Sequence, residues 1–247
     1  MNRLFFYVIT FSLLITKSAL SQDVIAVDSF DKVIISPHIQ VTLVEGDEES
    51  VTIESNTEGE DKLNVEVNGR TLRIYLDDAK ETTKTQIELK DGIEFKGPIY
   101  KGTIVTATIT YKNLNDISVR GDETLVCKSL LKGDNFRLKI YGASQVFINE
   151  VDLKKFHTTI YGESTLEIKS GTIQQQKYTS YGVSKVDALA VANEETRIIA
   201  YGEADLQINA SKRIRITAYG TASLKYKGEA EIVKGVNIGD TTIEKVE

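Results

Sequence analysis

A recurring Tyr-Gly pair is the feature that most constrains how this chain can fold. The pair occurs five times, at residues 141–142, 161–162, 181–182, 201–202 and 219–220. Successive pairs are 20 residues apart, except the last, which follows after 18. A fixed period of this kind indicates a repeat architecture in which each unit packs only against its neighbours.

Within each repeat, apolar residues alternate with a period of two. The residue five places after each Tyr is Val146, Leu166, Val186, Leu206 or Leu224, and the residue three places before it is Leu138, Thr158, Tyr178, Ile198 or Ile216. This alternation is typical of strands with one buried face, and the Val, Ile, Thr and Tyr content favours strands over helices. Each repeat therefore predicts two short strands joined at a Gly corner, where Gly tolerates a positive φ.

The repeat length decides between the all-β architectures. About 20 residues is too short for a propeller blade of about 40 residues. An antiparallel sandwich remains an alternative, since its strands are equally short. Equivalent residues recur at equivalent positions, however, as parallel stacking of equivalent strands about 4.8 Å apart requires. We therefore predict an all-β, single-stranded β-helix with coils of about 20 residues.

The N-terminus has the pattern of a secretory signal peptide. Arg3 precedes an apolar run over residues 4–15, and Ala19 and Ser21 stand at the −3 and −1 positions of a cleavage site before Gln22. The run is shorter than the roughly 20 residues that a membrane-spanning helix needs. We expect export through the Sec pathway to the periplasm or cell surface. The single cysteine, Cys127, is far from this site, so a lipoprotein is not expected.

The remaining chain, 22–247, is predicted to be one β-helix domain. Residues 22–102 would form less regular coils, 103–227 the regular Tyr-Gly coils, and 228–247 a C-terminal cap. Asn68-Gly69 predicts a two-residue hairpin turn. The polar segment 77–102 is expected to be a loop-bearing junction.

Charge narrows the range of partners. The full chain has a net charge of −6, and cleavage of the signal would remove Arg3 and Lys17 and take it to −8. The sequence has no run of basic residues. This balance argues against nucleic acid and anionic membranes as partners, and no second apolar run is long enough to span a bilayer.

Several short motifs resemble the head GIN domain family, which is described as an auto-transporter adhesin. They are Phe30-Asp31-Lys32-Val33, the run 41–51, Gly69-Arg70-Thr71-Leu72 and the run 231–235. The resemblance implies an exported protein of a Gram-negative bacterium with a right-handed β-helix, and it carries over no catalytic residues. Family members usually have a Ser-Gly-Ser-Gly corner, whereas this chain has Tyr-Gly-x-Ser.

The tyrosines of the repeat are the principal candidate binding residues. If the coils stack in register, an outward column forms from Tyr141, Tyr161, Tyr181, Tyr201 and Tyr219. Such a column could hold the sugar rings of an extended glycan. It could equally serve only to stabilise neighbouring coils, at about 0.2–1 kcal/mol per pair. Both interpretations stay open at this point.

The other candidates have simpler explanations. Glu167 and Asp187 would be neighbours on adjacent coils. The pair could act as a carboxylate dyad, contact Ca²⁺ weakly, or simply be part of the solvated surface. Arg120-Gly121-Asp122 spells an integrin-type tripeptide, but a Gly is expected at that corner anyway. His38 and His157 lack Cys neighbours, so no zinc site, other metal or cofactor is predicted.

These observations predict an exported, non-catalytic β-solenoid that is adhesive or binds a glycan, the cell envelope or a surface protein. One alternative is a polysaccharide-acting enzyme that uses Glu167 and Asp187. Another is a structural protein that assembles with copies of itself as a homo-oligomer.

Overall fold

The computed structural model describes residues 23–90 and 93–247, so the predicted signal peptide lies outside the described residues. The strands are β1 Asp23–Ala26, β2 Lys32–Ile35, β3 Ile39–Glu45, β4 Ser50–Asn56, β5 Leu63–Asn68, β6 Thr71–Leu76, β7 Thr85–Lys90, β8 Ile93–Pro98, β9 Val105–Tyr111, β10 Asp116–Gly121, β11 Thr124–Cys127, β12 Leu131–Gly142, β13 Gln145–Ile148, β14 Val151–Ile168, β15 Gly171–Lys227, β16 Glu231–Ile238 and β17 Thr241–Lys245. Glu60–Lys62 form a 3-10 turn. No helix in the described ranges is long and apolar enough to cross a membrane.

Successive coils stack in parallel, with equivalent residues side by side. On one face of the solenoid the neighbours run β6, β2, β10, β12, β14 and β15. On the next face they run β3, β11, β13, β14 and β15. Tyr141 pairs with Tyr161, and Tyr161 pairs with Tyr181. The predicted all-β solenoid with coils of about 20 residues is therefore confirmed, while the right-handed turn stays a prediction from the family resemblance.

The core is a set of inward columns that run the length of the stack. Leu138, Ile140, Val146 and Ile148 fill one coil and are fully buried. Two neighbouring coils carry hydrogen-bonded polar side chains in this core: the Tyr178 hydroxyl donates to Oε1 of Gln176 at 2.9 Å, and Nε2 of Gln176 donates to Oγ1 of Thr196 at 2.9 Å. These bonds satisfy groups that would otherwise be costly to bury.

The Gly corner has a steric cause as well as a conformational one. Gly182 adopts a φ of +117°, and a Cβ at this position would lie 2.6 Å from the carbonyl oxygen of Gly162. The other corner glycines meet the carbonyl of the preceding coil in the same way. Serine side chains also bond the corner, since the Ser144 and Ser164 hydroxyls donate to the Gly121 and Gly142 carbonyls at 2.8 and 3.0 Å.

Antiparallel strands close the N-terminal end of the stack. The Asn68-Gly69 turn joins β5 and β6 as an antiparallel hairpin, as predicted, with Gly69 at a φ of +61°. Strand β4 pairs antiparallel with both β1 and β9. The N-terminal strands are thus only partly solenoidal.

The predicted junction and the predicted cap both contain paired strands. Within residues 77–102, β7 and β8 pair as an antiparallel hairpin that makes a separate two-stranded sheet. At the other end, β16 and β17 pair in parallel with β15 and continue the stack. Val236 and Ile238 in this last coil are more than half exposed.

Candidate functional site

The five repeat tyrosines form a continuous stack, here called the Tyr ladder (Tyr141, Tyr161, Tyr181, Tyr201 and Tyr219). Neighbouring ring centroids are 4.9–5.0 Å apart, and neighbouring planes differ by 1–6°. Four of the five side chains are about 40% exposed. The predicted ladder at the interval of the coils is therefore confirmed as a structure, while its role in binding stays a prediction.

The ring orientation limits how the Tyr ladder can meet a ligand. Near-parallel rings at this separation face one another, so the aromatic faces inside the ladder are occupied by neighbouring rings. The ring edges and the phenol hydroxyls remain open to solvent. Among the described residues these hydroxyls have no hydrogen-bond partner. A glycan would therefore meet a row of hydroxyls and ring edges, without stacking its sugars on the ring faces.

The N-terminal end of the ladder is closed by Arg120. Its guanidinium lies over the Tyr141 ring and forms an ion pair with Glu81, which also accepts a hydrogen bond from Arg73. Asp122 accepts a hydrogen bond from the Ala143 N–H at 3.1 Å. The Arg-Gly-Asp tripeptide is thus held in internal contacts, and its Arg side chain is only 24% exposed.

Two further columns share the strand face of the Tyr ladder. Side chains two and four residues apart on one strand point to the same side. The column two places before the ladder is Lys139, Thr159, Thr179, Ile199 and Thr217. The column four places before it, here called the basic column, is Arg137, His157, Lys177, Arg197 and Arg215. The three columns together are called the tyrosine face below.

Most of the basic column lacks acidic partners. Arg137, at its N-terminal end, pairs with Asp116 at 3.2 Å. In the part of the chain that the structure describes, Lys177, Arg197 and Arg215 form no ion pair and no side-chain hydrogen bond. Burial lowers the pKa of His157, and the nearby charges of Lys177, Arg137 and Lys155 lower it further.

A shallow groove of about 290 Å³ runs beside the basic column. Its lining includes His157, Lys177, Arg197, Arg213 and Arg215, with Glu195 as its one acidic residue. The sequence prediction had missed this feature, because no two of these cations are close in the chain. The signal was present at the outward position four places before each Tyr. The absence of a run of basic residues in the sequence therefore does not exclude a basic column on the folded surface.

The carboxylate candidates form a pair without further support. Glu167 and Asp187 are register partners on adjacent coils, and Asp187 accepts a hydrogen bond from the Leu189 N–H at 3.2 Å. Residues 23–90 and 93–247 contain no group of three or more His, Cys, Asp or Glu side chains that could hold a metal ion.

The remaining candidates are placed in structural roles. Nδ1 of His38 lies 2.7 Å from the Gly102 carbonyl oxygen, and its Nε2 lies 2.6 Å from Oγ1 of Thr83. These two contacts connect the segments before β7 and after β8 to the stack. Cys127 is fully buried, and burial raises the pKa of its thiol to about 12. Such a thiol is a poor nucleophile.

Comparisons with known proteins agree with this architecture. The family model "Putative auto-transporter adhesin, head GIN domain" matches residues 29–230. No curated protein matches the chain.

Solved structures share the fold at low sequence identity. A "putative adhesin" of Bacteroides fragilis superposes with a TM-score of 0.73 at 21% identity, covering 91% of this chain and 96% of that one. A "putative adhesin" of Parabacteroides merdae gives 0.65 at 20% identity, covering 92% and 96%. A "Putative lipid binding protein" of Parabacteroides distasonis gives 0.64 at 18% identity, with the same coverage. At these identities the likeness shows the fold alone.

Proposed function

The chain belongs to the head GIN domain family, and on this premise we propose that it is an exported, non-catalytic module that binds an extended glycan through the tyrosine face. Residues 1–21 act as the signal peptide, and 22–247 form the binding domain of the cell envelope or cell surface. The family description and the names of the structural neighbours support an adhesive role.

The observation that carries this proposal is the row of free phenol hydroxyls on the Tyr ladder. Five hydroxyls at a constant interval match the repeating hydroxyls and ring oxygens of an extended polysaccharide. The stacked rings and the parallel strands hold this row rigid before any ligand arrives. A preorganised surface loses little conformational entropy on binding, which favours affinity.

A hydroxyl-deletion experiment tests the proposal. The chain is exported from an expression host, purified and applied to a glycan array. The double variant Tyr161→Phe/Tyr181→Phe keeps both rings, so it should keep its melting temperature while losing glycan retention. Tyr226→Phe is the matched control, because it removes a hydroxyl outside the tyrosine face. Retention of no glycan by the unmodified chain would contradict the proposal.

A second experiment tests the proposal that the chain does not cleave the glycan that it binds. The retained glycan is incubated with the chain and assayed for new chain ends. We expect none to appear. Release of fragments that is abolished by Glu167→Gln would instead favour a polysaccharide-acting enzyme.

A further inference from the structure

The charge pattern of the tyrosine face narrows the class of ligand. We infer that the glycan is linear and anionic, carrying carboxylate or sulfate groups, and that the basic column holds those groups while the Tyr ladder contacts the sugar hydroxyls. This inference rests on the proposed function and deepens it.

The first argument is the uneven distribution of charge. The chain as a whole is acidic, with a net charge of −6, and the outward column just after the Gly corner contains Glu163 and Glu203 but no cation. Across the corner, Lys177, Arg197 and Arg215 stand in one column with Lys139 and Lys155 nearby. A concentration of one sign on one face of an otherwise acidic protein attracts an anionic ligand to that face.

The second argument is that the adjacent like charges of this column lower the stability of the unliganded protein. Several cations elsewhere on the solenoid pair with acids of neighbouring coils, as Lys212 does with Glu194 at 2.7 Å and Lys154 with Asp134 at 2.7 Å. Between Lys177 and Arg215 the register that the stacked tyrosines define four residues later places like charges beside one another instead. Like charges in directly opposed strand positions are destabilising. A bound anion would offset that repulsion, which gives the arrangement a reason in binding.

The ends of the column support the same conclusion. Asp116 pairs with Arg137 on the N-terminal side, and Val233 follows Arg215 in the C-terminal coil. The unpaired cations are thus confined to the coils that also carry the exposed part of the Tyr ladder. A ligand along the solenoid axis would meet both columns over the same length.

Side-chain chemistry favours carboxylate or sulfate groups. The guanidinium groups of Arg197 and Arg215 can each donate two parallel hydrogen bonds to such an anion. The groove beside them, of about 290 Å³, gives access to both. Successive coils are about 4.8 Å apart, so an extended polymer can offer further anionic groups to further coils.

Other anionic macromolecules fit this face less well. Proteins that bind single-stranded nucleic acid offer open aromatic faces for base stacking, whereas the ring faces in the Tyr ladder are occupied by one another. Binding to an anionic membrane combines cations with inserted apolar side chains. In the coils from 137 to 219, the three columns contain a single aliphatic residue, Ile199.

Matched polysaccharides provide the test. Polygalacturonate is compared with its fully methyl-esterified form, and dextran sulfate with dextran, in equilibrium binding to the purified chain. In each pair the charged polymer should bind about tenfold tighter or more, since charge-assisted hydrogen bonds are the stronger ones. Raising the salt concentration should weaken the charged polymer and leave the neutral one unchanged.

Variants then locate the site. Lys177→Gln/Arg197→Gln should lower affinity for the charged polymer about tenfold, to near that of the neutral one. Lys185→Gln/Lys225→Gln removes the same charge on the other side of the Gly corner and should leave affinity unchanged. An unchanged melting temperature in both variants shows that the fold is intact.

The outcomes separate this inference from the proposed function. Equal binding of charged and neutral partners would overturn the inference and leave the proposed function standing. Binding of no glycan would overturn both. Tighter binding to phosphatidylglycerol vesicles or to single-stranded DNA than to any anionic glycan would overturn the assignment of the ligand class.

Discussion

The guanidinium carbon of Arg120 lies 4.9 Å from the centroid of the Tyr141 ring, at the N-terminal end of the Tyr ladder. Arg120 also pairs with Glu81, so the segment after β6 is fastened to the same end. A cation over an aromatic face is attracted by the ring quadrupole. One side chain therefore ends the aromatic stack and anchors the loop that precedes the β7–β8 hairpin.

Arg120→Gln tests this anchoring role. The variant loses the cation–π contact and the ion pair with Glu81, so the free energy of unfolding should fall by about 1–2 kcal/mol. Amide hydrogen exchange should become faster over residues 77–84. Arg197→Gln is the control, since Arg197 has no ion pair to lose among the described residues. Equal changes in both variants would show that Arg120 anchors nothing.

The stabilising effect of the Tyr ladder should depend on position. Tyr181 stacks on two rings, whereas Tyr219 stacks on one. Each pair is worth about 0.5–1.5 kcal/mol beyond the area it buries, so Tyr181→Ala should cost about twice as much as Tyr219→Ala. Tyr181→Phe keeps both stacks and should cost little. Chemical denaturation measures all three, and equal costs for the two Ala variants would argue against stabilisation by ring stacking.

The Gly corner gives a sharper stability prediction. Gly182→Val places a branched side chain at a positive φ and against the Gly162 carbonyl oxygen. The conformational cost alone is about 1–2 kcal/mol, and the steric clash adds to it. Lys185→Val, at an exposed outward position three residues later, should change the melting temperature little. Similar losses in the two variants would contradict the corner assignment.

The repeat predicted the fold well because its evidence is local and redundant. Five copies of Tyr-Gly fix which residues face inward, and parallel stacking then places the five tyrosines in one column. The antiparallel pairing of β4 with β1 and β9 had no such signal, because those strands occur once each. The β7–β8 hairpin lies in the segment predicted as a loop-bearing junction, although Ile87, Leu89, Ile93 and Phe95 alternate there with polar residues.

The site was predicted in part. The tyrosine positions came from the repeat, but the contact between Glu81 and Arg120 joins residues that are far apart in sequence. The basic column could have been found in the sequence, because its residues stand four places before each Tyr of the repeat. It was missed because a search for adjacent basic residues does not detect charges that only the stacking of coils brings together.

Cys127 offers a test of how cooperatively the stack opens. Its thiol is fully buried, and burial raises its pKa to about 12. A thiol reagent at neutral pH should therefore react only as fast as the chain unfolds. The reaction rate should follow the denaturant dependence of global unfolding measured by circular dichroism. Rapid reaction in native buffer would show that the coil around β11 opens locally.

The positive charges of the basic column should lower the measured pKa of His157. Burial together with the charges of Lys177, Arg137 and Lys155 holds its pKa below the ordinary value of 6.5. In the window between the lowered pKa and 6.5 the unfolded chain binds the proton more readily, so this residue makes stability fall as the pH falls. NMR titration of the imidazole should find the low pKa, and Lys177→Gln should raise it toward 6.5. A bound anionic glycan should raise it as well, because it supplies the opposite charge. A His157 pKa that does not change with the charged polymer would place that polymer elsewhere on the protein.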